Sequence, residues 1–167
     1  NTDKCLVWHS VLHARRNFLN RTRLVTGWLV LTFEGELHRV VYELHEQIKK
    51  SILEGGKILL GGKKIEGKGF FYQPTIVECQ SENNIVLREE TFGPIAAIVK
   101  AENEEHALQI ANNSDFGLGG SVWGLNAEKA EKLALRIEAG SVFVNEFVKT
   151  DPRMPAGGIK NSGYGRE

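Results

Sequence analysis

The chain from residue 43 onward alternates between two apolar patterns, and this alternation restricts the available folds more than any other feature. A first helix is indicated by an apolar stripe at helical spacing, formed by Tyr42, Leu44, Ile48 and Ile52. The pair Gly55-Gly56 predicts its end. Asn103 and Asn126 are suited to cap two later helices. The predicted buried positions of those helices are Ala107, Leu108, Ile110 and Ala111, then Ala130, Leu133, Ala134 and Ile137.

Strands are predicted between and after these helices, at residues 57–61, 70–77, 94–100, 119–123 and 141–145. The run from Ile95 to Val99 is suited to burial on both faces. Gly140 is expected to end the last helix in a left-handed conformation. Short strands that alternate with helices indicate an α/β fold, with a largely parallel sheet and helices packed on its faces.

Residues 1–41 do not share this organisation. Large and charged side chains such as Trp8, His13, Arg16 and Trp28 follow neither a helical nor a strand period. We therefore expect an irregular or disordered segment over residues 1–41, and a folded domain over residues 42–167.

Composition excludes several classes of protein. The 21 basic and 21 acidic residues cancel, so no net field attracts nucleic acid or an anionic membrane. Two cysteines, Cys5 and Cys79, do not make a disulfide framework, and no secretory leader is recognised, so a cytoplasmic location is expected. The longest apolar stretches fall far short of the roughly 20 residues that span a bilayer. No metal site is predicted.

Three motifs carry the chemistry. They are Glu89-Glu-Thr-Phe-Gly-Pro94, the run from Asn112 to Trp123, and Gly140-Ser-Val-Phe-Val-Asn145 with the glycine-rich run from Pro155 to Glu167. Taken alone, the glutamate pair is typical of a solvated pair before a turn. In this order and spacing, the three motifs closely resemble the aldehyde dehydrogenase superfamily over residues 43–167. Lys149-Thr-Asp-Pro-Arg-Met-Pro155 looks most like the succinate-semialdehyde type.

This resemblance implies the C-terminal part of a catalytic domain in an NAD(P)-dependent oxidoreductase. Such an enzyme binds NAD or NADP on a separate Rossmann domain, attacks a small-molecule aldehyde with a cysteine thiolate, and hydrolyses the thioester after hydride transfer. Glu90 aligns with the carboxylate that accepts both hydroxyls of the nicotinamide ribose. Phe92 aligns with the aromatic residue beside the nicotinamide. The parent enzyme is expected to be a homo-oligomer.

The resemblance also implies roles at the substrate end. Asn145 and the Gly157-Gly158 pair resemble positions that shape the substrate funnel. Ala156 stands where the family very often has phenylalanine, which reduces the aromatic wall of the tunnel. Arg153 is the candidate for holding a distal substrate carboxylate, with an exposed loop arginine as the alternative. Lys160 is equally a structural loop cation.

The family nucleophile lies in a motif of the form Asn-Ser/Thr-Gly-Gln-Val/Ser-Cys. This chain opens Asn1-Thr-Asp-Lys-Cys5, which lacks Gly-Gln and places Cys5 one position early. Cys5 is therefore a weak candidate for the catalytic thiol. The family's general base and cofactor domain lie N-terminal to this point, so we expect the chain alone to be inactive. The alternative function is a pseudogene product or non-enzymatic partner of an intact subunit.

A shifted reading frame is one hypothesis for the irregular segment. With suitable codons, one added base converts Asp3-Lys4-Cys5 to Gly-Gln-Val, and the same shift near Arg23 gives Val-Gly-Asp, both of which occur in the family. The nucleotide sequence of the gene across residues 3–36 decides this hypothesis.

Overall fold

The structure is a computed structural model that describes residues 6–10 and 28–166, and the side chains of residues 37–166. In chain order the elements are β1 (Leu6–Ser10), α1 (Trp28–Leu53), β2 (Lys57–Leu60), β3 (Thr75–Cys79), α2 (Ile85–Arg88), β4 (Ile95–Val99), α3 (Glu104–Asn112), β5 (Phe116–Gly117), β6 (Gly119–Trp123), α4 (Ala127–Ala134), β7 (Ser141–Val144) and β8 (Ile159–Lys160). They form two units. The first runs from α1 to Val99, and the second contains β1 and the chain from Lys100 onward.

The first unit packs α1 and α2 against a three-stranded sheet of order β2-β3-β4. β2 and β3 are antiparallel because the loop between them contains no crossover helix, whereas β3 and β4 are parallel and are joined through α2. Leu44 and Ile48 of α1 lie in the same buried cluster as Val77 and Cys79 of β3. The core of this unit therefore lies between α1 and the central strand.

The end of α1 is a Schellman motif. Gly55 lies at φ 87°, a left-handed conformation that glycine adopts without steric cost. The amide of Gly56 donates to the carbonyl of Ser51 at 2.7 Å, and the amide of Gly55 donates to that of Ile52 at 3.1 Å. These bonds satisfy carbonyls that the helix end would otherwise leave unpaired. The predicted stop at Gly55-Gly56 is confirmed.

The second unit is built on a sheet of order β1-β6-β7, in which β1 is antiparallel and β7 parallel to β6. A separate two-stranded ladder pairs β5 with β8. The buried cluster of this unit comprises Leu108, Val122, Ala130, Leu133, Ala134 and Ile137. Asn103 and Asn126 cap α3 and α4 by accepting from the amides of His106 and Lys129. The predicted caps are confirmed. Of the predicted buried positions, Leu108, Ala111, Ala130, Leu133, Ala134 and Ile137 are buried, the last of them beyond the end of α4, whereas Ala107 and Ile110 are partly buried.

The α/β fold class is confirmed, but several finer expectations are wrong. A largely parallel sheet was expected, but among the described pairings only β3–β4 and β6–β7 are parallel, and the other strand pairs are antiparallel. β4 is an edge strand of its described sheet, and Ile98 is 45% exposed, so the strand is not buried on both faces. Tyr42 and Ile52 are about half exposed, and the buried stripe of α1 instead follows Leu44, Ile48 and Ser51.

The end of α4 also differs from the prediction. The helix ends at Ala134, with Leu135 as a right-handed cap. Gly140 does not lie in the left-handed region. A side chain at this position would overlap the carbonyl oxygen of Gly157. Glycine is thus required there by a close backbone approach and not by a helix stop.

Part of the segment 1–41 is regular. β1 and the beginning of α1 lie within it, where no element was predicted. Residues 1–5 and 11–27 lie outside the described residues, so the division into 1–41 and 42–167 stays a prediction. None of the helices in the described part combines the length and apolar character that a bilayer crossing requires.

A buried polar network joins α1 to α2. Ser51 and Asn84 are both fully buried. The hydroxyl of Ser51 donates to Asn84 Oδ1 at 2.7 Å, and Asn84 Nδ2 donates to the carbonyl of Ser51 at 2.9 Å. Asn84 Oδ1 also accepts from the amide of Val86, which makes Asn84 the N-cap of α2. Each polar group in this network has a partner, as burial requires.

Replacing Asn84 with alanine should therefore destabilise the chain strongly. Asn84→Ala leaves Ser51 buried without its partner and removes the cap of α2, which together should lower the free energy of unfolding by about 2–4 kcal/mol. Asn83→Ala is the matched control, because Asn83 is exposed. Chemical denaturation measures both variants. Equal stability of the two would contradict the role assigned to the network.

Candidate functional site

The loop over residues 89–94 is held by its own backbone hydrogen bonds. The amide of Glu89 donates to the carbonyl of Ile85 and closes α2. The amide of Gly93 donates to the carbonyl of Thr91 at 2.8 Å, and the amide of Ile95 to that of Gly93 at 2.8 Å. These two tight turns lead the chain directly into β4. Backbone hydrogen bonds thus hold the loop at its start and at its end.

One face of α1 also holds this loop. Gly93 lies against Leu44, and a side chain at residue 93 would overlap the leucine methyl groups. One turn along the helix, Gln47 Nε2 donates to the carbonyl oxygen of Glu90 at 3.1 Å and to Glu89 Oε2 at 3.3 Å. Both partners of Gln47 are acceptors only, which assigns the contacting atom as nitrogen. The loop is therefore fixed by packing and by hydrogen bonds.

The side chains of Glu90 and Phe92 remain accessible on this fixed loop. Glu90 is partly exposed, and Phe92 is 54% exposed. An ionised carboxylate offers two acceptor oxygens, which suit two neighbouring hydroxyls of a sugar, and an exposed aromatic ring offers a flat apolar surface. The structure therefore places an acidic and an aromatic side chain, both accessible, two residues apart on one fixed loop.

Asn145 stands at the end of β7 in the second unit, at φ 52°. Its amide group pairs with the backbone of Gly124 in both directions: Oδ1 accepts from the amide at 2.8 Å, and Nδ2 donates to the carbonyl at 2.9 Å. Asparagine is one of the few residues with a side chain that tolerates this left-handed conformation. Asn145 therefore extends the pairing of β6 and β7 past the strand ends, and its side-chain amide hydrogen-bonds to protein backbone.

The predicted substrate residues lie further along the second unit. The guanidinium of Arg153 is 86% exposed and binds Asp151 through Nε at 2.9 Å and Nη2 at 2.6 Å. This pair holds the pKa of Asp151 down to about 2, because the side chain and then the backbone amide of Arg153 donate to the carboxylate. Ala156 is partly buried. Arg153 is thus already paired within its own turn.

Lys160 acts on the backbone. Its side chain is 25% exposed, and its ammonium donates to the carbonyls of Asn112 at 2.9 Å and Ser114 at 3.0 Å and lies 2.7 Å from a carboxylate oxygen of Glu138. Asn112 is the last residue of α3, where a cation and the helix dipole attract each other. The geometry supports the structural alternative for Lys160.

Of the two cysteines, the structure describes only Cys79. Cys5 lies outside the described residues. Cys79 is buried on β3, and burial, with a smaller contribution from Glu54, raises the pKa of its thiol to about 11. A thiol with so high a pKa is almost wholly protonated at neutral pH and is a poor nucleophile. Cys79 is therefore a core residue.

Gln47 was not predicted from the sequence. It lies next to Ile48, between the apolar positions of α1. Hydrophobic periodicity considers only apolar residues and therefore does not identify it. Gln47 is three residues from Leu44, so both lie on one helix face, and this spacing could have indicated that Gln47 faces the same neighbours as Leu44.

Comparison with known proteins places the chain among dehydrogenases. Residues 38–167 match the sequence profile described as the aldehyde dehydrogenase family. Succinate semialdehyde dehydrogenase [NAD(P)+] of Escherichia coli strain K12 is 43% identical over 125 residues, which cover 75% of this chain and 27% of that protein. The chain thus spans about a quarter of the length of such relatives.

Solved structures share the fold at similar coverage. Succinic semialdehyde dehydrogenase from Streptococcus pyogenes, in complex with NADP+, superimposes with a TM-score of 0.72 at 38% identity, over 77% of this chain and 28% of that one. Mycobacterium tuberculosis aldehyde dehydrogenase complexed with NAD+ gives a TM-score of 0.73 at 39% identity, over 77% and 27%.

The Asp151–Arg153 pair predicts a shifted titration. Asp151 should titrate with a pKa of about 2, and Arg153→Met should raise that pKa toward 3.8. Because the folded-state pKa is depressed, the pair contributes stability above about pH 3.8, and this contribution is lost as the pH falls through about 2. Carboxyl carbon NMR measures the titration, with Arg136→Met as control. An unchanged pKa of Asp151 in Arg153→Met would refute the pairing.

Asn145 predicts a specific order of two variants. Asn145→Ala and Asn145→Gly both lose the bonds to Gly124, but alanine must also adopt φ 52°. Alanine should therefore cost about 1 kcal/mol more than glycine in the free energy of unfolding. Denaturant titration compares the two variants, and a more stable alanine variant would contradict the assignment.

Proposed function

Because the chain belongs to the aldehyde dehydrogenase family, we propose that it supplies the nicotinamide-side and substrate-loop region of an NAD(P)-dependent enzyme that oxidises succinate semialdehyde to the acid. The observation that supports this proposal is the loop over residues 89–94, which Leu44 and Gln47 hold in place and which carries both Glu90 and Phe92. The names of similar proteins, which include succinate semialdehyde dehydrogenases, support the substrate class. The reaction is proposed for the whole enzyme, of which this chain matches about a quarter.

Glu90 and Phe92 fit the nicotinamide end of a dinucleotide. The carboxylate of Glu90 accepts both ribose hydroxyls, and the ring of Phe92 packs beside the nicotinamide. The exposure of Phe92 and the partial exposure of Glu90 support this assignment, since a ligand can reach both side chains. When bound, NAD or NADP accepts the hydride of the substrate.

Arg153 is the proposed contact for the distal carboxylate of the semialdehyde. Its bonds to Asp151 use Nε and Nη2, and a guanidinium has five donors, so Nη1 still offers two to a substrate. Its high exposure supports this access. Ala156 leaves room where a phenylalanine would narrow the tunnel.

Cys5 is the proposed candidate for the thiolate that forms the thioester, and it stands in a motif that departs from the family pattern. The alternative function is a non-enzymatic role, as an inactive gene product or as a partner of an intact subunit. A cytoplasmic, homo-oligomeric parent enzyme completes the proposal.

A direct assay tests whether the chain alone is a catalyst. The 167-residue chain tested alone should give no rise in absorbance at 340 nm with succinate semialdehyde and NAD or NADP, compared with a heat-treated control. The physical reason is that a thiol requires a positioned base and cofactor to react. Turnover that disappears in Cys5→Ala would show instead that the chain is a complete catalyst.

Cofactor affinity tests the role of Glu90. Two contacts offset only a part of the free energy lost in immobilising a dinucleotide, so NAD and NADP should bind this chain no tighter than about 1 mM. Calorimetry measures the dissociation constants, and Glu90→Gln should weaken what binding there is. A low-micromolar constant would contradict the predicted weakness, and an unchanged affinity in Glu90→Gln would remove the proposed cofactor contact.

A further inference from the structure

The loop that carries Glu90 depends on one polar side chain of α1. Gln47 is partly buried, and its amide nitrogen bridges the carbonyl oxygen of Glu90 and the carboxylate of Glu89. The amides of Glu89 and Gly93 make short-range backbone bonds, and the carbonyl of Pro94 at the loop end accepts from the amide of Thr75 at 2.8 Å. Gln47 is therefore the side chain that ties the backbone of Glu90 to a helix 43 residues away in sequence.

We infer that Gln47 is a positioning residue for the nicotinamide ribose: it fixes the backbone of Glu90, so that the carboxylate is oriented before the cofactor arrives. This inference rests on the proposed cofactor role of Glu90. A carboxylate that accepts two hydroxyls requires a defined position, and orienting it in advance reduces the entropy lost on binding. Gln47 itself does not contact the cofactor.

The neighbouring contacts explain why glutamine suits this place. Leu44, three residues earlier on α1, already seats Gly93 by packing, but packing is non-directional. The amide of Gln47 adds a directional bond to the residue before Thr91, on the other side of the turn.

Two variants separate the hydrogen bond from the packing. Gln47→Met keeps the length of the side chain and removes both donors. Gln47→Glu keeps its shape but places an acceptor against two acceptors, and should act in the same direction. Gln109→Met is the matched control, because Gln109 is an exposed glutamine of α3 in the other unit.

The first measurement is amide hydrogen exchange over residues 90–93 in the full chain. Exchange there should accelerate about fivefold in Gln47→Met, since one neutral hydrogen bond is worth about that factor, and Gln109→Met should leave it unchanged. Unchanged exchange in both Gln47 variants would overturn the inference.

The second measurement is an NMR titration with NAD+ into the millimolar range, for the wild type, Gln47→Met, Glu90→Gln and the double variant. Gln47→Met should weaken binding about threefold to fivefold, and this loss should vanish in the Glu90→Gln background, because Gln47 acts through Glu90. Equal losses in both backgrounds would show a merely structural role and overturn the inference. If Glu90→Gln binds as the wild type does, the proposed cofactor role itself fails, and the inference with it.

Discussion

One face of helix α1 determines the arrangement of the first unit. Leu44 and Ile48 are four residues apart, as are Gln47 and Ser51, so these four side chains lie on one stripe, which Glu54 continues just past the end of the helix. The apolar members pack on the central strand and the loop before β4, while Ser51 and Glu54 bind the start of α2, the latter by accepting from the amide of Ile85 at 2.7 Å. The loop with Glu90 and Phe92 thus follows a helix that is held at its first residue.

In the second unit, polar side chains hydrogen-bond to backbone groups at the ends of strands and helices. The side chain of Asn145 pairs with the backbone of Gly124, and that of Lys160 donates to carbonyls at the end of α3. Two residues that the sequence placed near the substrate end therefore stabilise the fold. Arg153 differs, because it lies exposed in a turn of its own. Of the side chains to which chemistry is proposed, Glu90 is held at its backbone by Gln47, and Arg153 is held by Asp151.

Local rules predicted the elements of this chain better than their pairing. The bounds of β6 and the caps Asn103 and Asn126 followed from residue type and spacing. A largely parallel sheet was predicted, but β2 is antiparallel to β3, because the direction depends on what connects the two strands. The buried stripe of α1 was mispredicted because Ser51 is polar yet buried. The same reason hid Gln47: hydrophobic periodicity does not register a hydrogen bond to a residue distant in sequence. Glu90, Phe92, Arg153 and Ala156 were reached by family resemblance, and their roles stay predictions.

The contact between Leu44 and Gly93 is the most direct test of this account, since it joins the helix face to the loop that presents Glu90. Methyl NMR of the chain with labelled leucine should show a strong Overhauser effect from the methyl groups of Leu44 to the α protons of Gly93. If the Leu44 methyl groups show effects only to other core residues and none to Gly93, the loop is not seated on α1 and the account is wrong.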